Sequence, residues 1–276
     1  MTITVHTITI DGSVGPAGVA QWDPDRYERA VRRNLVYIFR TPVGRVLIPQ
    51  LLRRPLTIVP HPPLALDGAH ARPRDAAAAQ LRGATVYQCS PPTVAGRPAM
   101  GQPVPNQPRS TGVGSAVQLR YTPADWHDPS PSVYGVFTMM PTRRRAAPGA
   151  LSDEVLVHEL THAIRCMRGV AQCMGVGYDY ATFEEFCAVQ VANVYASCRR
   201  RPVRHSYVHR DQRVALLDPF GTPTAQQRDE EAWIDRMRRE QPGFCHALGN
   251  LSRGDAPYNP FRRPRSRDVR YVPQRW

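Results

Sequence analysis

His158-Glu159-Leu160-Thr161-His162 is the stretch on which the fold turns. It lies inside Ser152–Gly169, SDEVLVHELTHAIRCMRG. Val155, Leu156, Leu160, Ala163, Ile164 and Met167 recur there at helical spacing. Ser152 reads as an N-cap, with Asp153 and Glu154 in a first turn where the helix dipole favours carboxylates. Gly169 reads as the C′ stop. The pattern predicts a helix over 153–168. Residues four apart share a helix face, so His158 and His162 can turn both imidazoles toward one ion. Glu159 sits about 100° round the axis from His158, placed to reach water rather than metal. Two neutral nitrogen donors, an open coordination position and a carboxylate base are the parts of a zinc hydrolase.

A catalytic zinc takes three protein ligands, and the third must come from elsewhere. Glu184 and Glu185 follow His162 by 22 and 23 residues, at the start of a second helix expected over 183–197. Thr182 caps that helix, and Glu185 at N3 completes a T-x-x-E capping box. Phe186, Val189, Val194 and Tyr195 give it an apolar surface. Glu185 is favoured as ligand, because Ala188 one turn on permits close approach to the first helix. Glu184 is the alternative, with one glutamate ligating and the other capping. Asp179, His205 and His209, in loop-like sequence, are weaker candidates. A transition-state stabiliser is also required. Tyr178, Tyr180, His205 and Tyr207 are candidates among which the sequence does not choose.

The 276 residues suffice for one substantial core. No apolar run is long enough to cross a bilayer. The N-terminus alternates in polarity and lacks the charged and apolar regions of a Sec signal. Cys89, Cys166, Cys173, Cys187, Cys198 and Cys245 show no metal-knuckle spacing and read as thiols rather than a disulfide framework. All 36 basic residues are arginine. A GC-rich genome writes arginine for lysine, and selection against ubiquitin acceptors in a eukaryotic cytosol would do the same. The net charge of +13 suggests an acidic partner or an anionic surface. Without a nucleic-acid-binding signature it does not imply sequence-specific nucleic-acid binding.

The first 22 residues carry one or two strand segments. Asp23-Pro24 opens a helix to about Arg40, with Tyr27, Val31, Leu35 and Ile38 as its stripe. A break at Thr41-Pro-Val-Gly44 precedes a short helix over about 43–52. Leu56–Val59, Ala84–Gln88, Val117–Tyr121 and Ser132–Met140 read as strands. Ser90–Gly114 is a Pro/Gly-rich loop or flap, and residues 224–240 are a charged amphipathic helix. Residues 23–250 thus form the expected catalytic domain, and 251–276 a basic Arg/Pro-rich tail.

With these residues in place, the chain resembles a known family. His158-Glu-Leu-Thr-His162-Ala163, Gly169, Glu184-Glu185 and Ala188-Val189 resemble the zinc metallopeptidase effectors that pathogenic bacteria inject into host cells, NleD-like type III effectors among them. Thr41-Pro-Val-Gly-Arg-Val-Leu47 is similar to that family's T-x-x-G-x-x-L stretch. The resemblance implies a gluzincin endopeptidase with one zinc per chain. It also implies a protein substrate in a host or target cell, secretion without a cleavable Sec signal and a secretion chaperone as a further partner. The expectation is a monomeric α+β, zincin-like domain, its small mixed or antiparallel sheet packed on the motif helix. Zinc is held by His158, His162 and Glu185, and Glu159 is the base. Two rivals are a basic nucleic-acid- or membrane-associated protein whose H-E-x-x-H helix is structural, and an antibacterial toxin hydrolase.

Overall fold

A computed structural model describes residues 2–5, 7–13, 15, 22–61, 69–89, 100–125, 149–178, 180–204 and 225–262. Its centre is a five-stranded mixed sheet. β1 (Thr2–Val5) and β2 (Ile8–Asp11) form an antiparallel hairpin. β2 runs parallel to β3 (Leu56–Val59), and β3 parallel to β5 (Val117–Tyr121). β4 (Ala69–Pro73) closes the far edge, antiparallel to β5, giving the order β1-β2-β3-β5-β4. Burial alternates along β2, β3 and β5, so Ile8, Ile10, Leu56, Ile58, Val117, Leu119 and Tyr121 present one apolar face.

The connection from β2 to β3 is a helical corner. In α1 (Pro24–Phe39) Asp23 accepts from the Arg26 amide and Pro24 takes the first turn, where its missing N–H costs nothing. The predicted stripe of Tyr27, Val31, Leu35 and Ile38 is buried. In α2 (Pro42–Leu51) Thr41 accepts from the Gly44 amide at 3.0 Å while its hydroxyl donates to the Ile38 carbonyl at 2.7 Å. A Cβ on Gly44 would lie 1.9 Å from that carbonyl, so only glycine lets the helices meet so closely. Leu47 is fully buried beneath the corner. The T-x-x-G-x-x-L stretch is therefore a cap, a close approach and a core anchor in succession.

Short α3 (Ala76–Ala79) precedes the long loop. Beyond it α4 (Ser152–Met167) carries the H-E-x-x-H motif across the sheet against β4 and β5, with α1, α2 and α5 (Phe183–Cys198) around it. α6 (Ala225–Glu240) and α7 (Pro242–Gly249) complete the fold. One continuous core runs from Ile8 to Phe261. The N-terminal hairpin is thus integral to the sheet, and the packed chain extends past 250: Ala256 and Phe261, in the segment expected as tail, are buried. No helix of the described residues is long and apolar enough to cross a membrane.

Several expectations need correction. Ser152 is the first helical residue of α4, not its cap; Leu151 is the N-cap and makes no side-chain cap bond. The Ser152 hydroxyl instead accepts from Asn34 Nδ2 at 3.1 Å, and its carbonyl accepts from the Tyr121 hydroxyl at 2.8 Å. Ala84–Gln88 is not a strand. It makes only an isolated bridge, Tyr87 to Pro103, flanked by bonds from the Val104 amide to Val86 and from the Gln88 amide to Gln102, 2.9 Å each. Cys89 and Cys173, expected as thiols, form a disulfide with Cα atoms 4.9 Å apart. The ribbon 84–89 and the strap after α4 meet only in three dimensions. Cys166, Cys187 and Cys245 are buried thiols. Ser132–Met140 lies outside the described residues.

Candidate metal centre

α4 is enclosed to an unusual degree. Every one of its residues is buried except His162. A helix apolar all round reaches that state at no electrostatic cost, but α4 takes Asp153, Glu154, His158, Glu159 and Arg165 inside with it. Buried charges must be paired, and each partner defines part of the site. At the N-terminal end Asp153 accepts from Arg201 and from the Tyr195 hydroxyl, 2.6 Å away. Glu154 accepts from the Gly149 amide at 2.8 Å and from Arg201 at 3.1 Å, and burial pushes its carboxyl up to about 7. At the C-terminal end the Gly169 amide donates to Cys166 and the Val170 amide to Arg165, a Schellman stop. Gly169 has φ +67°, and a Cβ there would lie 2.2 Å from the Gly112 carbonyl oxygen.

In the middle of α4, one turn of helix brings the two histidines together. Their Nε2 atoms are 3.1 Å apart, with the rings nearly perpendicular. Glu185, from the first turn of α5, reaches both: Oε2 is 3.0 Å from His158 Nε2, and Oε1 is 3.5 Å from His162 Nε2. Two ligands on a tetrahedral zinc, at bonds of about 2.0–2.2 Å, sit about 3.3 Å from each other. The separation of the two nitrogens and the two Glu185 contacts, one from each carboxylate oxygen, straddle that value. Nitrogen, nitrogen and carboxylate oxygen are the donors of a His₂Glu catalytic zinc, so the residues fit the ion. Glu159 is buried beside them, its carboxylate within 4.8 Å of the two ring nitrogens.

The charges of the trio are set by burial and proximity. Burial drives His158 down to about 4 against the pull of Glu185, leaving its ring neutral, as a metal ligand must be. Burial opposes charge on His162 too, but the facing Glu185 carboxylate, helped by Glu159, raises it to about 9. Burial alone would raise Glu185. The His162 charge and the contacts with both rings outweigh it and hold the carboxyl well below the usual range. Without metal His162 therefore keeps its proton beside the ionised Glu185 carboxylate, and a metal would have to displace it.

The two glutamates have separate duties. Glu185 meets the histidines. Glu184 turns to Arg165, whose Nε lies 2.9 and 2.8 Å from its two oxygens. Half of the capping box forms: the Thr182 hydroxyl accepts from the Glu185 amide at 3.2 Å, while the Glu185 carboxylate faces the histidines instead.

Neither described tyrosine candidate is oriented as a stabiliser. Tyr178, at φ +52°, donates its hydroxyl to Asp229 of α6 at 2.5 Å. Tyr180 is buried between Phe186 and Trp233, with its hydroxyl bonded to Glu230. Asp179, His205, Tyr207 and His209 lie outside the described residues. The structure adds Arg204, which no sequence signal marked. Asn193 of α5 grips its backbone in both directions, at 2.8 Å each. Its buried side chain fills the space a Cβ on Gly149 would need, and its positive charge bears on His158.

No protein-family model matches the chain, and no curated protein matches it.

Proposed function

We propose that the chain is a zinc-dependent endopeptidase on a zincin-like domain, acting as a secreted bacterial effector or toxin on a protein in a target cell. The convergence of His158 Nε2, His162 Nε2 and the two Glu185 carboxylate oxygens, one on each ring at 3.0 and 3.5 Å, with Glu159 beside them, carries the reading. A buried ion triad adds little stability over an apolar core. Its presence at zinc-ligand spacing therefore argues for binding rather than architecture.

Zinc, when bound, supplies a Lewis acid for the scissile carbonyl and makes water acidic enough to ionise near neutrality. The chain's own residues do the rest. His158, neutral by burial, presents its Nε2 lone pair. His162 would give up its proton were His158, His162 and Glu185 to hold the ion. Glu159 accepts a proton from the attacking water at its carboxylate oxygen and delivers it to the departing amide nitrogen, so the peptide bond breaks with no net proton change. The lysine-free composition and the family resemblance support action in a eukaryotic cytosol. The solvent face of α1 and its C-cap, with Arg26, Arg29, Arg32, Arg33 and Arg40 exposed, supports an acidic partner as a second reading.

Metal analysis of purified protein tests the first reading. It should find about one zinc per chain, lost in His158→Ala and in His162→Ala. A folded wild-type protein that takes up no zinc ends it. A proteome-wide cleavage comparison of wild type with Glu159→Gln then identifies the substrate.

A further inference from the structure

We infer that Arg165 is a positioning residue for the metal centre, clamping α5 to α4 so that Glu185 meets the two histidines. The inference rests on the zinc reading above. Arg165 lies on α4 one turn beyond His162 and is fully buried. Its Nε serves both oxygens of Glu184, and its other nitrogens donate to the Val170 carbonyl at 3.0 Å, Glu240 at 2.8 Å and Gln241 at 3.2 Å. The guanidinium also stacks 5.4 Å from the Phe183 ring centroid. Glu184 Oε1 in turn accepts from the Gln172 amide at 2.6 Å, in the strap joining the two helices.

The arrangement has a geometric consequence. His158, His162 and Arg165 follow one another along α4 at intervals of four and three residues and share a face. Across from them, Glu184 and Glu185 are adjacent on α5 and point about 100° apart. Glu185 bridges to the histidines and Glu184 to the arginine. One contact between two helices leaves them free to rotate or slide. Two contacts from neighbouring residues fix both motions. Leucine or methionine at 165 would pack with less desolvation, since a buried charge stabilises a fold poorly. Arginine supplies direction instead, because its rigid plane fans Nε to Glu184 and its terminal nitrogens to Val170, Glu240 and Gln241 at fixed angles. Glu240 and Gln241, at the junction of α6 and α7, hold the same guanidinium. Docking of the C-terminal helices and metal affinity are thus joined through a single side chain.

The test uses the full chain and zinc alone, with no substrate. Arg165→Lys keeps the charge but loses the fork. Glu184→Gln keeps the shape but loses the charge. Zinc affinity is read by chelator competition, ligand geometry by the visible spectrum of the cobalt-loaded protein, and stability by metal-free melting. Ile58→Ala, in β3 and fully buried, is the control for general destabilisation. Both test variants should bind zinc ~10–100-fold more weakly than wild type and show altered cobalt bands, while Ile58→Ala melts earlier with affinity and bands intact. Wild-type affinity and spectrum in Glu184→Gln overturn the inference and leave the zinc site standing. So does a loss of affinity in Ile58→Ala equal to that of the test variants. Should Arg165→Lys not fold, Glu184→Gln decides alone. A wild-type protein that binds no zinc removes the zinc reading and this inference with it.

Discussion

Replacing Glu185 with glutamine isolates the ligand from everything else that residue does. Its amide donates to Thr182 Oγ1, a backbone contact that survives the change. Its two carboxylate oxygens face different rings, at 3.0 Å from His158 and 3.5 Å from His162. A glutamine offers oxygen to one ring and NH₂ to the other, so the metal-free packing can be kept with neutral histidines. Metal binding has no such escape, because zinc loses the only anionic donor of the trio. Damage to groups that merely orient ligands costs ~10–100-fold in affinity. Loss of the ligand itself should cost more than ~100-fold, or about 2.8 kcal/mol. Chelator competition measures the affinity, and far-UV circular dichroism should show unchanged helicity. A Glu185→Gln protein binding zinc within threefold of wild type would refute the assignment, as would zinc loss in Glu184→Gln but not in Glu185→Gln.

Glu159→Gln should retain zinc and fold while peptide hydrolysis falls ~10²–10⁴-fold, the range for a general base; steady-state kinetics on a cleaved substrate check it, and an active variant removes Glu159 from the mechanism. His162 is raised in the folded protein, so its contribution to metal-free stability is complete below its unfolded value of 6.5 and is lost as pH rises to about 9. Melting curves across that window should fall for wild type and fall less for His162→Ala; parallel curves contradict the His162–Glu185 proton. The same proton competes with metal, so zinc affinity should climb from pH 6.5 toward about 9, which titrations at stepped pH will show or deny. Gly169→Ala combines a positive φ with a Cβ 2.2 Å from the Gly112 carbonyl, and should cost at least ~1–2 kcal/mol in denaturant melts; a neutral result means the α4 terminus can rearrange.

What the sequence disclosed was local. α1, α2, α4 and α5 were readable because caps, breaks and apolar periods lie within a few residues of one another: Asp23-Pro24, the Thr41–Gly44 break, Gly169, Thr182. β4 was missed because Ala-His-Ala-Arg-Pro has no β-branched residue, and an edge strand tolerates its terminal proline. α7 was missed because Pro242-Gly243 reads as a break, though the proline sits where a helix accepts it. Ser152 misled as a cap because tertiary structure gave its hydroxyl to Asn34. Favouring Glu185 over Glu184 as the residue facing the histidines was possible from Ala188 one turn on. The role of Glu184 was not, since Arg165, Gln172 and Glu240 are gathered from three separate stretches. The Cys89–Cys173 pairing spans 84 residues, and nothing local announces a bond at that range.

The enclosure of α4 has a practical corollary for mutagenesis. A saturation library scored by protein abundance will report nearly the whole helix as intolerant, because almost every side chain is core. His162, the one residue of α4 that is not fully buried, should accept in that score residues that keep a hydrogen bond to Glu185, glutamine among them. Scored for zinc occupancy, the same position should tolerate almost nothing. The discordance between the two maps, rather than either map alone, separates the residues that α4 needs to exist from those it needs to act.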